Sequence, residues 1–295
     1  MPETMVIKAG HGLPYSKGLM AQSLTASGIA PERAYQLARA VEDLLPGGDV
    51  EVAALELIAA EVLREHEGDE AVRRFEGWQR FDRLELPPII LLSGAPGVGK
   101  STLASMLASR LGIHRVIATD AIRHVIRAFF SPDFMPFVHL SSFEAARALD
   151  ADEAEGADPD IAGFTRQAQN VRTGVMAIVD RACEEGTQMV VEGVHLIPGL
   201  INGELRGRCL PVQAVVAVSD EELHRSHFSM RGGHRPAERY LDRFSQIRKL
   251  QDHLVAQARE QGVAVIENDS VDRALPRLMD LVLDSVSRVS ESDAR

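Results

Sequence analysis

The sequence has 295 residues, enough to bury a full-sized core and to divide into one ordinary α/β domain plus a smaller module. Apolar residues make up 45% and charged residues 25%, which excludes a disordered or fibrous chain. A net charge of −11 works against broad attraction to nucleic acid or an anionic membrane, so neither is an expected partner and small ligands are.

Cys183 and Cys209 are the only cysteines, too few for a disulfide framework or a four-cysteine zinc site, and they point to a reduced compartment. No apolar run reaches the ~18 residues of a spanning helix, and Met1-Pro2-Glu3-Thr4 lacks the basic and apolar regions of a signal peptide. A cytoplasmic protein is expected, with a homo-oligomer left open.

In chain order, residues 5–8 read as a strand, Gly10-His11-Gly12 as a turn and Ser16 as the approach to a first helix. Pro31 suits a first helical position. Ala34, Leu37, Ala38, Val41, Leu44 and Leu45 then form an apolar stripe that Pro46-Gly47-Gly48 ends. A further helix over roughly 50–66 buries Val52, Leu55, Ala59, Val62 and Leu63, and Ala71, Val72, Phe75 and Trp78 mark a short one after it. This strand, turn and helix layout over 1–84 resembles an ATP-cone, a small nucleotide-sensing module. A plain packing or dimerisation module fits the same pattern.

Pro87-Pro88 opens the second domain, 85–295, and Ile89-Ile90-Leu91-Leu92 suits a parallel strand covered on both faces. Further strands are expected at Arg115–Ala118, Gln188–Glu192, Gln213–Val218 and Val263–Glu267, with helical patterns between them, one over 161–184. The alternation predicts an α/β fold of the P-loop kinase kind: a parallel sheet flanked by helices, with ligands at the carboxyl ends of the strands. The six acids of Asp150–Asp160 read as a solvated loop.

Gly94-Ala95-Pro96-Gly97-Val98-Gly99-Lys100-Ser101-Thr102 is a complete phosphate-binding loop between strand and helix. Its glycines let successive backbone N–H groups turn toward an anion at the positive end of a helix. Lys100 would reach the β- and γ-phosphates of ATP and Ser101 would ligate Mg²⁺, with Leu103, Met106, Leu107 and Leu111 anchoring the helix. After the next strand come Thr119-Asp120 and, on one helical face, Arg123 and Arg127. Asp120 would orient an acceptor hydroxyl, take its proton or help hold Mg²⁺, and the two arginines would bind an acidic acceptor; a helix cap and surface arginines are the plain alternative. Glu192 ends another apolar strand where a Walker-B carboxylate approaches Mg²⁺, and His195 follows as a substrate contact or a satisfied structural residue.

His224, His227 and His234 lack a cysteine to complete a metal set, and Arg225, Arg231, Arg235, Arg239 and Arg243 surround them. A basic lid hinged at Gly232-Gly233 is expected, with Arg231 and Arg235 closing over ATP.

Taken together, GAPGVGKST, TDAIRHVIR followed by SSFEA, VVEGVHLIPG and RPAERYLDRFSQIRKLQDHL look like the 2-phosphoglycerate kinase family, as does the front end VIKAGHGLPYSKGLMAQSL. The resemblance implies phosphoryl transfer from ATP to the free hydroxyl of 2-phosphoglycerate, giving 2,3-bisphosphoglycerate. Another phosphorylated acid or polyol, such as an inositol phosphate, and an ATP-sensing regulator that hydrolyses slowly are the alternatives.

Overall fold

The computed structural model describes residues 4–8, 11–150, 156, 158–201, 205, 207–229 and 237–293. Arg231, Gly232, Gly233, His234 and Arg235 of the expected lid lie outside them, as does most of the acidic stretch after Asp150. The described residues of 1–84, 110–112 and 283–295 group into one unit, and those of 85–109 and 113–282 into another.

In the first unit, strand β1 (Met5–Lys8) pairs antiparallel with β2 (His11–Pro14) and parallel with β3 (Asp49–Glu51). His11 and Gly12, expected in a turn, are therefore strand residues. Gly12 lies opposite Ile7, where a Cβ would come within 2.9 Å of the Ile7 side chain, so the missing side chain serves close strand packing. Ser16 caps helix α1 (Lys17–Ala26) by accepting the Leu19 N–H at 3.3 Å, and Pro31 opens α2 (Pro31–Leu44). Helices α3 (Val52–Glu67) and α4 (Asp69–Asp82) are divided at Gly68, which adopts φ 85°. Leu24, Leu37, Val41, Leu63 and Phe75 form the centre of this core, whereas Leu44, read as part of the stripe, faces solvent.

The second unit is built on a five-stranded parallel sheet. Its strands are β4 (Pro88–Ser93), β5 (Val116–Ala118), β6 (Met189–Glu192), β7 (Leu210–Ala217) and β8 (Ala264–Glu267), in the order β5-β6-β4-β7-β8. The intervening helices are α5 (Lys100–Leu111), α6 (Thr119–Phe129), α7 (Pro159–Glu184), α8 (Glu221–Ser229), α9 (Ala237–Leu241) and α10 (Phe244–Glu260), with α11 (Val271–Asp293) last; the ends of α5 and α11, from residues 110 and 283, are counted with the first unit. From β4 the chain passes to β5 and β6 on one side and then to β7 and β8 on the other. This reversal opens a crevice at the carboxyl end of β4, where the phosphate loop begins.

β4 is buried along its whole length, and Ile89 and Leu91 pack with Met189 and Val191 of β6 against Val171, Val175 and Val179 of α7. Cutting Ile89 or Leu91 to Ala would cost roughly 2–5 kcal/mol. Behind the loop, Leu103 and Leu107 of α5 are fully buried, while Met106, expected in the same stripe, lies at the surface.

Two 3₁₀ turns, Pro136–His139 and Ser142–Ala148, follow α6 and pack on α7. Their approach to α7 depends on Gly163, where a Cβ would meet the Ala145 carbonyl carbon at 2.6 Å and Ala146 Cα at 2.7 Å. Gly163→Ala should therefore destabilise the protein by ~1–3 kcal/mol through forced backbone displacement. Gly18→Ala, on an exposed helical position with nothing nearer than Ser16 Oγ at 3.7 Å, should stabilise it by up to about 1 kcal/mol. Urea unfolding of both variants checks the pair, and equal effects would contradict the packing described.

Candidate active site

The loop between β4 and α5 bends at Gly97 and Gly99, whose φ angles of 90° and 81° belong to the left-handed region that glycine tolerates. A Cβ on Gly97 would also run into the Phe228 ring and stand 2.9 Å from His224 Nε2. Side chains from distant parts of the chain bond the loop carbonyls. His224 Nε2–H donates to the Pro96 carbonyl and His227 Nδ1–H to that of Gly97, each at 2.9 Å, and Asn268 Nδ2–H donates to Val98 at 2.8 Å. With its carbonyls turned into the protein onto these donors, the loop can present its N–H groups to an anion.

The His224 tautomer is fixed from behind. Arg248 donates to His224 Nδ1 at 3.4 Å and to the Val218 carbonyl at 2.6 Å, which makes Nδ1 the acceptor and leaves Nε2 the proton that Pro96 needs. These histidines, placed by the sequence in a basic lid, are thus bonded to the loop itself. Their spacing of three puts both on one face of α8. Asn268, which the sequence reading missed, directly follows β8, at the strand end where ligand-site residues of parallel sheets gather.

Beside the loop lies a polar cavity of about 490 Å³, lined by Lys100 and Ser101 from α5, Asp120, Arg123, His124 and Arg127 from α6, and Glu192 from the end of β6. His139, Ser141 and Ser142 from the 3₁₀ segment and Arg239 and Tyr240 from α9 close the other wall.

Ser101 Oγ–H donates to Glu192 Oε1 at 2.8 Å, and Lys100 Nζ lies 3.5 Å from the Ala95 carbonyl. Glu192 is buried, and its second oxygen has no hydrogen-bond partner among the described residues. Among those residues no group of three or more His, Cys, Asp or Glu side chains could hold a metal ion alone, and no helix is long and apolar enough to cross a membrane.

Asp120 lies in the first turn of α6, after the N-cap residue Ala118, so the cap alternative does not hold. Its carboxylate accepts from Arg123 Nε at 3.2 Å. The side chain is 55% exposed, facing the open cavity; desolvation by the cavity walls opposes its ionisation, but attraction from His195, Arg123 and Lys100 outweighs this and holds the carboxyl below its usual range. Arg123 is itself buried and donates through Nη1 to the carbonyls of Val138 (2.8 Å) and Leu140 (3.0 Å), tying α6 to the 3₁₀ segment. Arg127, one turn on, is exposed on the cavity wall.

His195 is buried and is absent from the cavity wall. Gln167, missed by the sequence reading, donates through Nε2 to the carbonyls of Phe137 (2.6 Å) and Leu140 (3.0 Å), which turns its Oε1 toward His195. His195 Nε2–H then donates to that oxygen at 3.1 Å, and Nδ1 accepts the Thr119 hydroxyl at 2.8 Å. Burial pushes the imidazole down to about 4, against an opposing pull from Asp120. His195 is therefore neutral near pH 7, and Arg123 and Lys100 are what keep Asp120 ionised there.

Of the remaining arginines expected in the lid, Arg225 stacks over Phe244, with its guanidinium carbon 3.9 Å from the ring centroid. Arg239 bonds Ser141 Oγ at 3.0 Å and forms an ion pair with Glu144. Tyr240 stacks on Phe228 with centroids 5.2 Å apart, and Phe228 stacks in turn on His224 at 5.6 Å.

No protein-family model matches the chain. Among curated proteins, a 2-phosphoglycerate kinase of Methanopyrus kandleri is 39% identical over 285 residues, covering 94% of this chain and 86% of its own. Those of Pyrococcus horikoshii and Methanocaldococcus jannaschii are 36% and 35% identical and cover 94% and 95% of this chain and 93% and 91% of their own.

The His195 network generates a pH prediction. The folded pKa lies below the unfolded one, so the stabilisation is present above about pH 6.5 and is lost as pH falls toward 4. Between pH 7 and pH 5 the histidine should remove about 2 kcal/mol of stability. His195→Gln should shrink the stability difference between those two pH values by about that amount in urea unfolding. An unchanged difference would mean that the imidazole is not held neutral.

Proposed function

The chain belongs to the 2-phosphoglycerate kinase family, and we propose that it transfers the γ-phosphoryl group of ATP to the free hydroxyl of 2-phosphoglycerate, giving 2,3-bisphosphoglycerate and ADP. The observation that carries this reading is one cavity in which Lys100, Ser101 and Glu192 stand beside the phosphate loop while Asp120 and Arg127 stand on the facing helix.

The loop N–H groups and the Lys100 ammonium would bind the β- and γ-phosphates. Mg²⁺ fits the oxygen donors present: Ser101 Oγ and Glu192, whose second oxygen has no protein partner among the described residues. Few protein ligands are needed, because this ion keeps several waters and takes phosphate oxygens as well. When bound it would supply charge neutralisation between the β- and γ-phosphates.

Asp120, held ionised, would accept the hydrogen bond of the acceptor hydroxyl and align its oxygen for attack. As the new O–P bond forms and the bond to the ADP oxygen breaks, the hydroxyl proton passes to a carboxylate oxygen of Asp120. Its lowered pKa then returns that proton readily to solvent. Arg127 would attract the acidic acceptor, and Arg123 orients Asp120 while anchoring the wall.

A coupled ADP assay should show release that depends on 2-phosphoglycerate and exceeds the rate without an acceptor. Lys100→Ala should lower kcat/KM by ~10²-fold or more. Asp120→Asn should lower kcat far more than it raises the KM for ATP, because the amide keeps the size but loses the acceptor charge. ADP release indifferent to 2-phosphoglycerate would sink the reading.

A further inference from the structure

The acceptor named above carries two anionic groups, a phosphate and a carboxylate, beside the hydroxyl that reacts. Arg123 is committed to Asp120 and to two backbone carbonyls. Arg127 and the imidazole of His124 share the α6 wall. Arg239 lies on the wall contributed by α9, where its Nη2 is held by Ser141 Oγ and the Glu144 carboxylate. Its Nε and Nη1 make no hydrogen bond among the described residues, so the guanidinium is anchored through one nitrogen and keeps a donor edge for a ligand.

We infer that Arg239 is the carboxylate-binding residue of the acceptor site and that Glu144 and Ser141 position it, an inference that rests on the proposed 2-phosphoglycerate reading. The charge balance assigns the two anions. Arg239 shares the Glu144 carboxylate, whose other oxygen lies 4.0 Å from Arg147, so a dianionic phosphate on Arg239 would stand beside the Glu144 charge, whereas a planar monoanionic carboxylate matches the remaining N–H edge. Arg127 has no ion-pair partner among the described residues and suits the phosphate.

The test compares 2-phosphoglycerate with glycerol 2-phosphate, in which a hydroxymethyl group replaces the carboxylate. Dissociation constants of both are measured by calorimetry for the full chain and for Arg239→Met, Glu144→Gln and Arg127→Met, beside the KM for 2-phosphoglycerate. Arg239→Met should weaken 2-phosphoglycerate by about 10- to 100-fold and glycerol 2-phosphate by less than about 2-fold, so the discrimination collapses. Glu144→Gln should weaken 2-phosphoglycerate by a smaller factor with the same selectivity, and Arg127→Met should weaken both compounds alike. Equal losses for both compounds in Arg239→Met, or no loss, would overturn the inference. A wild-type chain that neither binds nor phosphorylates 2-phosphoglycerate would overturn the functional reading as well, which separates the two failures.

Discussion

A phosphate loop can face its N–H groups toward an anion only if its carbonyls face the protein, and carbonyls turned inward need donors. That constraint organises the second unit. The donors are His224 and His227 from α8 and Asn268 from the end of β8, all more than 120 residues beyond the loop they hold. The loop is thus shaped by the completed sheet, and its glycine at 97 is required twice, for its φ and for the Phe228 ring packed against it.

The facing wall follows the same rule. Leu140 offers a carbonyl that Arg123 from α6 and Gln167 from α7 both bind, and the amide of Gln167 then fixes the orientation of His195. Each of these buried groups would cost about 1–3 kcal/mol if left without its partner. The network therefore sets the position of the 3₁₀ segment with little freedom, and Asp120 is aimed from a helix whose own anchor, Arg123, belongs to that network.

Features with local signatures were legible in the sequence: the Ile89–Leu92 run, the glycine spacing of the loop, the acid ending β6 and the helical stripe of α7. Residues whose roles come from distant partners were not. Helical spacing placed Arg123 and Arg127 on one face, but nothing local could say that a turn at 138–140 would bury the first and leave the second exposed. His224 and His227 sit among arginines and read as part of a lid because the carbonyls they bond lie about 130 positions earlier. Gln167 looks like a polar break beside an apolar stripe, and only its bonds to Phe137 and Leu140 explain why it is buried.

The net charge of −11 adds a further constraint on how such a site can work. Anionic ligands are not drawn in by the chain as a whole, and at physiological salt the field of distant charges is screened beyond roughly 8 Å. Attraction must therefore come from groups fixed at the cavity wall. Lys100, Arg127 and Arg239 line that wall and would supply it, while Asp120 and Glu192 would place negative charge where a hydroxyl or a cation binds. Bonds to backbone carbonyls and to Ser101, Ser141 and Glu144 keep Arg123, Glu192 and Arg239 oriented before any ligand arrives, and preorganised charge stabilises a transferring phosphoryl group without reorganisation during the reaction.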